Sequence, residues 1–87
     1  MWETGYRPQF LEDLIYWMRT NPRLALRLAT LMESVGRDPF SGIGQPEPLK
    51  HLGPSIWSRR LNAEHRVVYR IDGHRIDFLQ ARYHYEA

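Results

Sequence analysis

The sequence predicts an α+β fold, two N-terminal helices packed on one face of a small, mainly antiparallel, twisted sheet, from three observations. Apolar residues recur every three or four positions from Phe10 to Val35. Strand-like runs follow from Ile56 onward, two of them separated by an Asp-Gly pair. Between these regions lies a segment too rich in Pro and Gly for either element. At 87 residues the chain has room for one domain, spanning 1–87, whose core buries roughly 60–70% of the unfolded surface.

In "FLEDLIYWMR", Phe10 or Leu11, Leu14, Ile15, Trp17 and Met18 form the stripe of an amphipathic helix. Asn21-Pro22 reads as the N-cap and first-turn proline of a second helix. Its apolar positions are Leu24, Leu28, Leu31, Met32 and Val35, with Gly36 as the C′ stop, so the two helices form an antiparallel pair. The stretch "PFSGIGQPEPLKHLGPS", residues 39–55, holds four Pro and three Gly and predicts a long ordered loop of the kind that tends to carry function.

Three strands are predicted next, "IWSRRL", "HRVVYRI" and "RIDFLQARYHY". Asp72-Gly73 is the signal for a two-residue hairpin turn. With that turn, Tyr69 faces Ile76 and Val67 faces Phe78 on an apolar side that covers the helices. Arg70 then lies opposite Arg75, and Arg66 opposite Leu79, on a more polar side. The opening "MWETGY" carries only a faint strand pattern, interrupted by Gly5 and the polar Glu3-Thr4.

Charge is distributed unevenly. Residues 1–47 carry five Arg against six Asp and Glu, whereas residues 48–87 carry seven Lys and Arg against four Asp and Glu. Only Lys50 among the basic residues is a lysine. Arginine's planar fork matches phosphate oxygens two at a time, so the balance suits nucleic acid. The absence of Cys excludes disulfides, thiolate nucleophiles and zinc-thiolate sites. No signal peptide or membrane-length apolar run is evident, which makes a cytoplasmic protein the expectation. Nor is there a zincin helix motif, a Gly-rich phosphate loop or a nucleophile elbow, which leaves acid–base chemistry without a metal or cofactor.

His74 reads as a turn residue, and His51 and His65 flank the loop and a strand. His84 stands apart, because it lies among Arg82, Tyr83 and Tyr85, where a cation can hold a phosphate and a ring can stack on a base.

The stretch "DPFSGIGQPEPLKHLGPSIWSRRLNAEHRVVYRI" and the terminal "ARYHY" closely resemble the YoeB/Txe toxins of the RelE/ParE superfamily. The family pattern is Pro-Phe, a Gly-x-Gly-x-Pro-Glu-x-Leu-Lys loop, Trp-Ser-Arg-Arg, His-Arg-x-Val-Tyr and a closing Arg-Tyr-His-Tyr. The resemblance implies a RelE-like, microbial-RNase-like fold and a ribosome-dependent endoribonuclease that cuts messenger RNA in the decoding site. It also implies inhibition by a YefM-like antitoxin with an acidic disordered segment, and homodimers in many members. By the same resemblance Glu47 is the general base, Arg66 holds the scissile phosphate, His84 is the general acid, and Tyr85 orients substrate or stacks on a base. Lys50, His51, Arg60 and Arg82 are the further RNA- and phosphate-binding residues, and no metal is involved. Two other functions are compatible with much of this set: an inactive antitoxin- or RNA-binding module, and a ParE-like toxin directed at gyrase.

Strict alternation from the Asp72-Gly73 turn puts Arg66 and His84 on opposite faces. For both to reach one phosphate, the last strand must bulge or leave the sheet before His84. Three departures from the family pattern stand out: Gln45 where a lysine is usual, "LGPSIW" before the Trp strand, and Glu86-Ala87 beyond the final tyrosine.

Overall fold

A computed structural model describes residues 2–83 of the chain. Strand β1 (Glu3–Tyr6) precedes helices α1 (Pro8–Thr20) and α2 (Pro22–Arg37), and strands β2 (Glu47–Pro48), β3 (Ile56–Arg60), β4 (Arg66–Asp72) and β5 (Arg75–Gln80) follow. The sheet runs β1-β5-β4-β3-β2, antiparallel except that β1 lies parallel to β5. The helices pack on one face, their buried Phe10, Trp17, Leu28 and Leu31 sharing a core with Val67, Tyr69, Ile76 and Phe78.

Helix α2 follows its pattern closely. The Asn21 side chain accepts from the Leu24 amide at 3.2 Å, and Leu24, Leu28, Leu31 and Val35 are buried. Its end differs from the expectation. Gly36 remains helical, and the chain turns extended at Asp38 (φ −154, ψ 107) because that residue precedes Pro39.

In α1 the buried residues are Phe10, Asp13 and Trp17, while Leu11, Ile15 and Met18 of the expected stripe are exposed. The cause is polar: Asp13 and Trp17 each bond the backbone of Ala81, and this fixes which side of the helix meets the sheet.

The hairpin turn lies one residue later than predicted. Gly73 and His74 form the loop, Asp72 pairs with Arg75, Arg70 with Asp77, and Tyr69 with Phe78. Arg70 therefore faces a carboxylate instead of the expected Arg75, with Asp77 3.6 Å from Arg70 and 2.8 Å from Arg75. Because this register differs from the expected one by two residues, the apolar side chains keep their face. Farther along, Tyr69 pairs with Phe78 but Val68 pairs with Gln80, so Leu79 is an unpaired bulge residue. The distortion required of the last strand thus occurs at Leu79, and β5 ends one residue later, at Gln80.

The faint N-terminal pattern does form a strand, completed by Glu3 N–H to His74 O at 2.8 Å and Arg7 N–H to Phe78 O at 2.9 Å. The Pro/Gly segment is less bare than its composition suggests. Glu47-Pro48 pairs with Trp57-Ser58, and Lys50–Leu52 makes a single 3₁₀ turn.

Candidate active site

On the helix-free face of the sheet, the register aligns Glu47 with Ser58 across β2 and β3, and Ser58 with Val68 across β3 and β4. Arg66 opens β4 on the same face. Its Nη2 lies 3.0 Å from Glu47 Oε1, and its Nε donates to Ser58 Oγ at 2.9 Å. The Arg66 side chain is only 11% exposed, whereas that of Glu47 is 56% exposed. The guanidinium is thus held from two sides, while the carboxylate faces solvent, where a substrate hydroxyl could meet it.

What delivers Glu47 to this place is a buried arginine on the opposite face. Arg59 is 0% exposed. Its Nε donates to Tyr69 Oη at 3.2 Å, Nη1 to Ser34 Oγ at 2.8 Å and Ile43 O at 3.0 Å, and Nη2 to Asp38 O at 2.6 Å and Ser41 O at 3.0 Å. All five guanidinium N–H groups are therefore used, as burial of a cation demands. Around it, the Tyr69 hydroxyl donates to Pro39 O, and the Asp38 carboxylate accepts from Phe40 N–H and Ser41 Oγ.

Those two bonds, the Phe40 amide first, lower the pKa of Asp38 below the ordinary 3.8. Burial raises that of Tyr69 above 10.0. Two glycines let the loop close on its anchor. At Gly42 (φ +129) a side chain would strike Ser34 Oγ, and at Gly44 (φ +83) it would strike Leu31. Gly44 O then accepts from Arg60 N–H at 2.6 Å, and β2 begins three residues on.

Sequence reasoning passed over Arg59. The signal was available in alternation, since Trp57 and Arg59 share the face of Tyr69 and Val67, with which they pair. An arginine on a helix-covered face must find internal acceptors.

The remaining candidate residues are placed as follows. Arg60 is exposed and stands directly opposite Arg66 in the β3–β4 ladder. Lys50 and His51 are exposed on the 3₁₀ turn just after Glu47. Arg82 lies elsewhere, its guanidinium 3.6 Å above the ring of Tyr16 on α1. His84 and Tyr85 lie outside the described residues. The last described residue, Tyr83, has φ +63; its carbonyl accepts from Arg66 N–H at 3.1 Å and its amide donates to His65 Nδ1 at 2.6 Å. His65, just before β4, is buried between Trp17 and Tyr83.

Among the described residues, no group of three His, Cys, Asp or Glu is arranged to hold a metal ion. The face offers an accessible carboxylate beside a fixed guanidinium, a pairing able to accept a proton and to hold an anionic oxygen.

Comparison with known proteins agrees with the motifs. Residues 6–85 match the family described as YoeB-like toxin of bacterial type II toxin-antitoxin system. Toxin YoeB of Mycobacterium bovis is 42% identical over 85 residues, covering 98% of this chain and 100% of that one. The YoeB/ParE toxin from Agrobacterium tumefaciens superposes with a TM-score of 0.87 at 39% identity, covering 95% and 99% of the two chains. Staphylococcus aureus YoeB is similar as a dimer (TM-score 0.86, 34% identity, 97% and 98% covered) and in its YoeB-YefM complex (0.82, 36%, 98% and 99%).

Proposed function

Because this chain belongs to the YoeB-like toxins of bacterial type II toxin-antitoxin systems, we propose that it is a ribosome-dependent endoribonuclease that cleaves messenger RNA in the ribosomal A site and so stops translation. One observation carries the chemical part of this reading: Glu47 and Arg66 meet at 3.0 Å on the open face of the sheet, the carboxylate exposed and the guanidinium fixed.

In this reading the reaction is a metal-independent transesterification. Glu47 takes the proton of the 2′-hydroxyl, and the 2′-oxygen forms a bond to the adjacent phosphorus. Arg66 stabilises the charge that accumulates on the phosphorane oxygens. The bond from phosphorus to the 5′-oxygen breaks, and His84 supplies the proton that oxygen needs. The products are a 2′,3′-cyclic phosphate and a 5′-hydroxyl. Tyr85 orients the substrate or stacks on a base. Arg60, Lys50 and His51 contact flanking phosphates, and Arg82 does so from the α1 side.

An antitoxin of the YefM kind, with an acidic segment that folds as it binds, is the proposed inhibitor, and a homodimer the proposed free form; both rest on the similarity to the Staphylococcus aureus assemblies. Ribosomes place the activity in the cytoplasm.

The test is primer extension on a reporter message, translated in a purified system and also incubated free, with analysis of the cut ends. Cuts on translated message only, bearing cyclic phosphate and 5′-hydroxyl ends, are expected. A protein that binds ribosomes or antitoxin and cuts neither RNA would instead be a binding module.

A further inference from the structure

We infer that Asp13 and Trp17 of α1, together with His65, form a clamp that positions the chain as it enters residues 84 and 85, which makes them positioning residues for the proposed acid. The inference rests on the endoribonuclease reading only for its consequence in catalysis; the clamp itself is a matter of bonds.

Asp13 and Trp17 are four residues apart, hence neighbours on one face of α1. Asp13 is 2% exposed and its Oδ2 accepts from Ala81 N–H at 2.9 Å; Trp17 is 6% exposed and its Nε1 donates to Ala81 O at 2.8 Å. One helix therefore takes both backbone polar groups of one residue, immediately past the point where β5 stops exchanging ladder bonds. Arg82 follows, seated on Tyr16 of the same helix. At Tyr83 the amide is taken by His65 Nδ1 and the carbonyl by the backbone N–H of Arg66. His65 is braced in turn, its ring edge-on to Trp17 at 4.7 Å.

Simple packing does not explain this arrangement. A leucine at position 13 would fill a helix–sheet contact without desolvating a carboxylate, whose burial is costly unless it is well bonded. Among the described residues no guanidinium or ammonium pairs with Asp13; its other oxygen accepts from Gln9 Nε2, at 2.9 Å. Tyr83 in turn adopts φ +63, a conformation costly for a bulky side chain and held only where its surroundings over-determine it. A buried carboxylate and a strained backbone both serve one three-residue segment. That segment leads directly into His84 and is bonded to the phosphate-binding arginine.

The test uses the full chain with programmed ribosomes, comparing wild type with Trp17→Phe, Asp13→Ala and Asp13→Asn. Single-turnover cleavage, ribosome affinity and hydrogen exchange at Ala81 and Tyr83 are measured for each. Trp17→Phe and Asp13→Ala should slow cleavage by about 10²-fold, as a misplacement of about 1 Å can. Ribosome affinity should hold, and the Ala81 or Tyr83 amides should exchange faster than those of β4. Asp13→Asn, which keeps an acceptor for the Ala81 amide, should restore most of the rate. Wild-type cleavage in Trp17→Phe and Asp13→Ala would overturn the positioning role, as would Asp13→Asn failing as badly as Asp13→Ala. If Asp13→Ala does not fold, Trp17→Phe still decides. A wild-type chain that cuts nothing would remove the nuclease reading alone. Exchange at Ala81 and Tyr83 would then still judge the clamp, unchanged protection in the variants refuting it.

Discussion

At the scale of single residues, the molecule places two arginines of adjacent strands to opposite ends. Arg59 spends every N–H inside the protein, whereas Arg66 is bonded among the described residues through Nε to Ser58 and through Nη2 to Glu47, and in the proposed reaction its other donors take the phosphate. Alternation decides which is which, since Arg59 faces the helices with Tyr69, and Arg66 shares the other face with Ser58. Asp38, whose exposed carboxylate bonds the loop that Arg59 anchors, gives this arrangement a pH signature. Its pKa is lowered on folding, so its contribution is fully present above the ordinary 3.8 and is lost as the pH falls through the lower folded value. Melting temperature followed from neutral to acid pH should fall less steeply below 3.8 in Asp38→Asn than in wild type. Parallel curves would show that the bonds from Phe40 and Ser41 contribute no acid sensitivity.

At the scale of elements, the 38–46 loop behaves as a shaped part because Arg59 bonds three of its carbonyls, those of Asp38, Ser41 and Ile43. Arg59→Met would leave these without their donors and should destabilise the protein by about 3–5 kcal/mol. Each kcal/mol lowers the melting temperature of a domain this size by roughly 4–8 °C, so the effect is plain in a thermal melt; an unchanged melt would show that other contacts hold the loop. How far such elements are legible in the sequence depends on where their stabilising partners lie. Helix α2 can be read because its apolar residues are confined to one side and Asn21-Pro22 marks its start. Helix α1 is ambiguous because apolar side chains surround most of it, and its orientation is set by Ala81, 68 residues from Asp13. Strand β1 has almost no local signal, since a short parallel edge strand is stabilised by pairing with β5 at the other end of the chain. The Asp-Gly pair marks the turn but not its register, and the observed register, one residue later, sets Asp77 beside both Arg70 and Arg75.

At the scale of the whole molecule, the site is a meeting of three distant stretches: the Pro/Gly loop brings Glu47, the start of β4 brings Arg66, and the segment that follows β5 reaches Tyr83 with its carbonyl on the Arg66 amide. The sequence reveals the residue types and their motifs. It conceals the 3.0 Å contact and the clamp, which arise from strand register and helix–sheet bonds rather than local pattern. The bulge at Leu79 is foreseeable only from the expectation that Arg66 and His84 reach one phosphate, not from any local pattern. None of the described helices is long and apolar enough to cross a membrane. The Glu47→Gln variant tests the central claim most directly, because the amide keeps the shape and a hydrogen bond to Arg66 but cannot act as the base. Cleavage of translated message and ribosome affinity should be measured together, with His84→Gln alongside. Loss of cutting by about 10²-fold or more in Glu47→Gln, with ribosome binding retained, is the predicted result. Cutting at the wild-type rate by Glu47→Gln would contradict it.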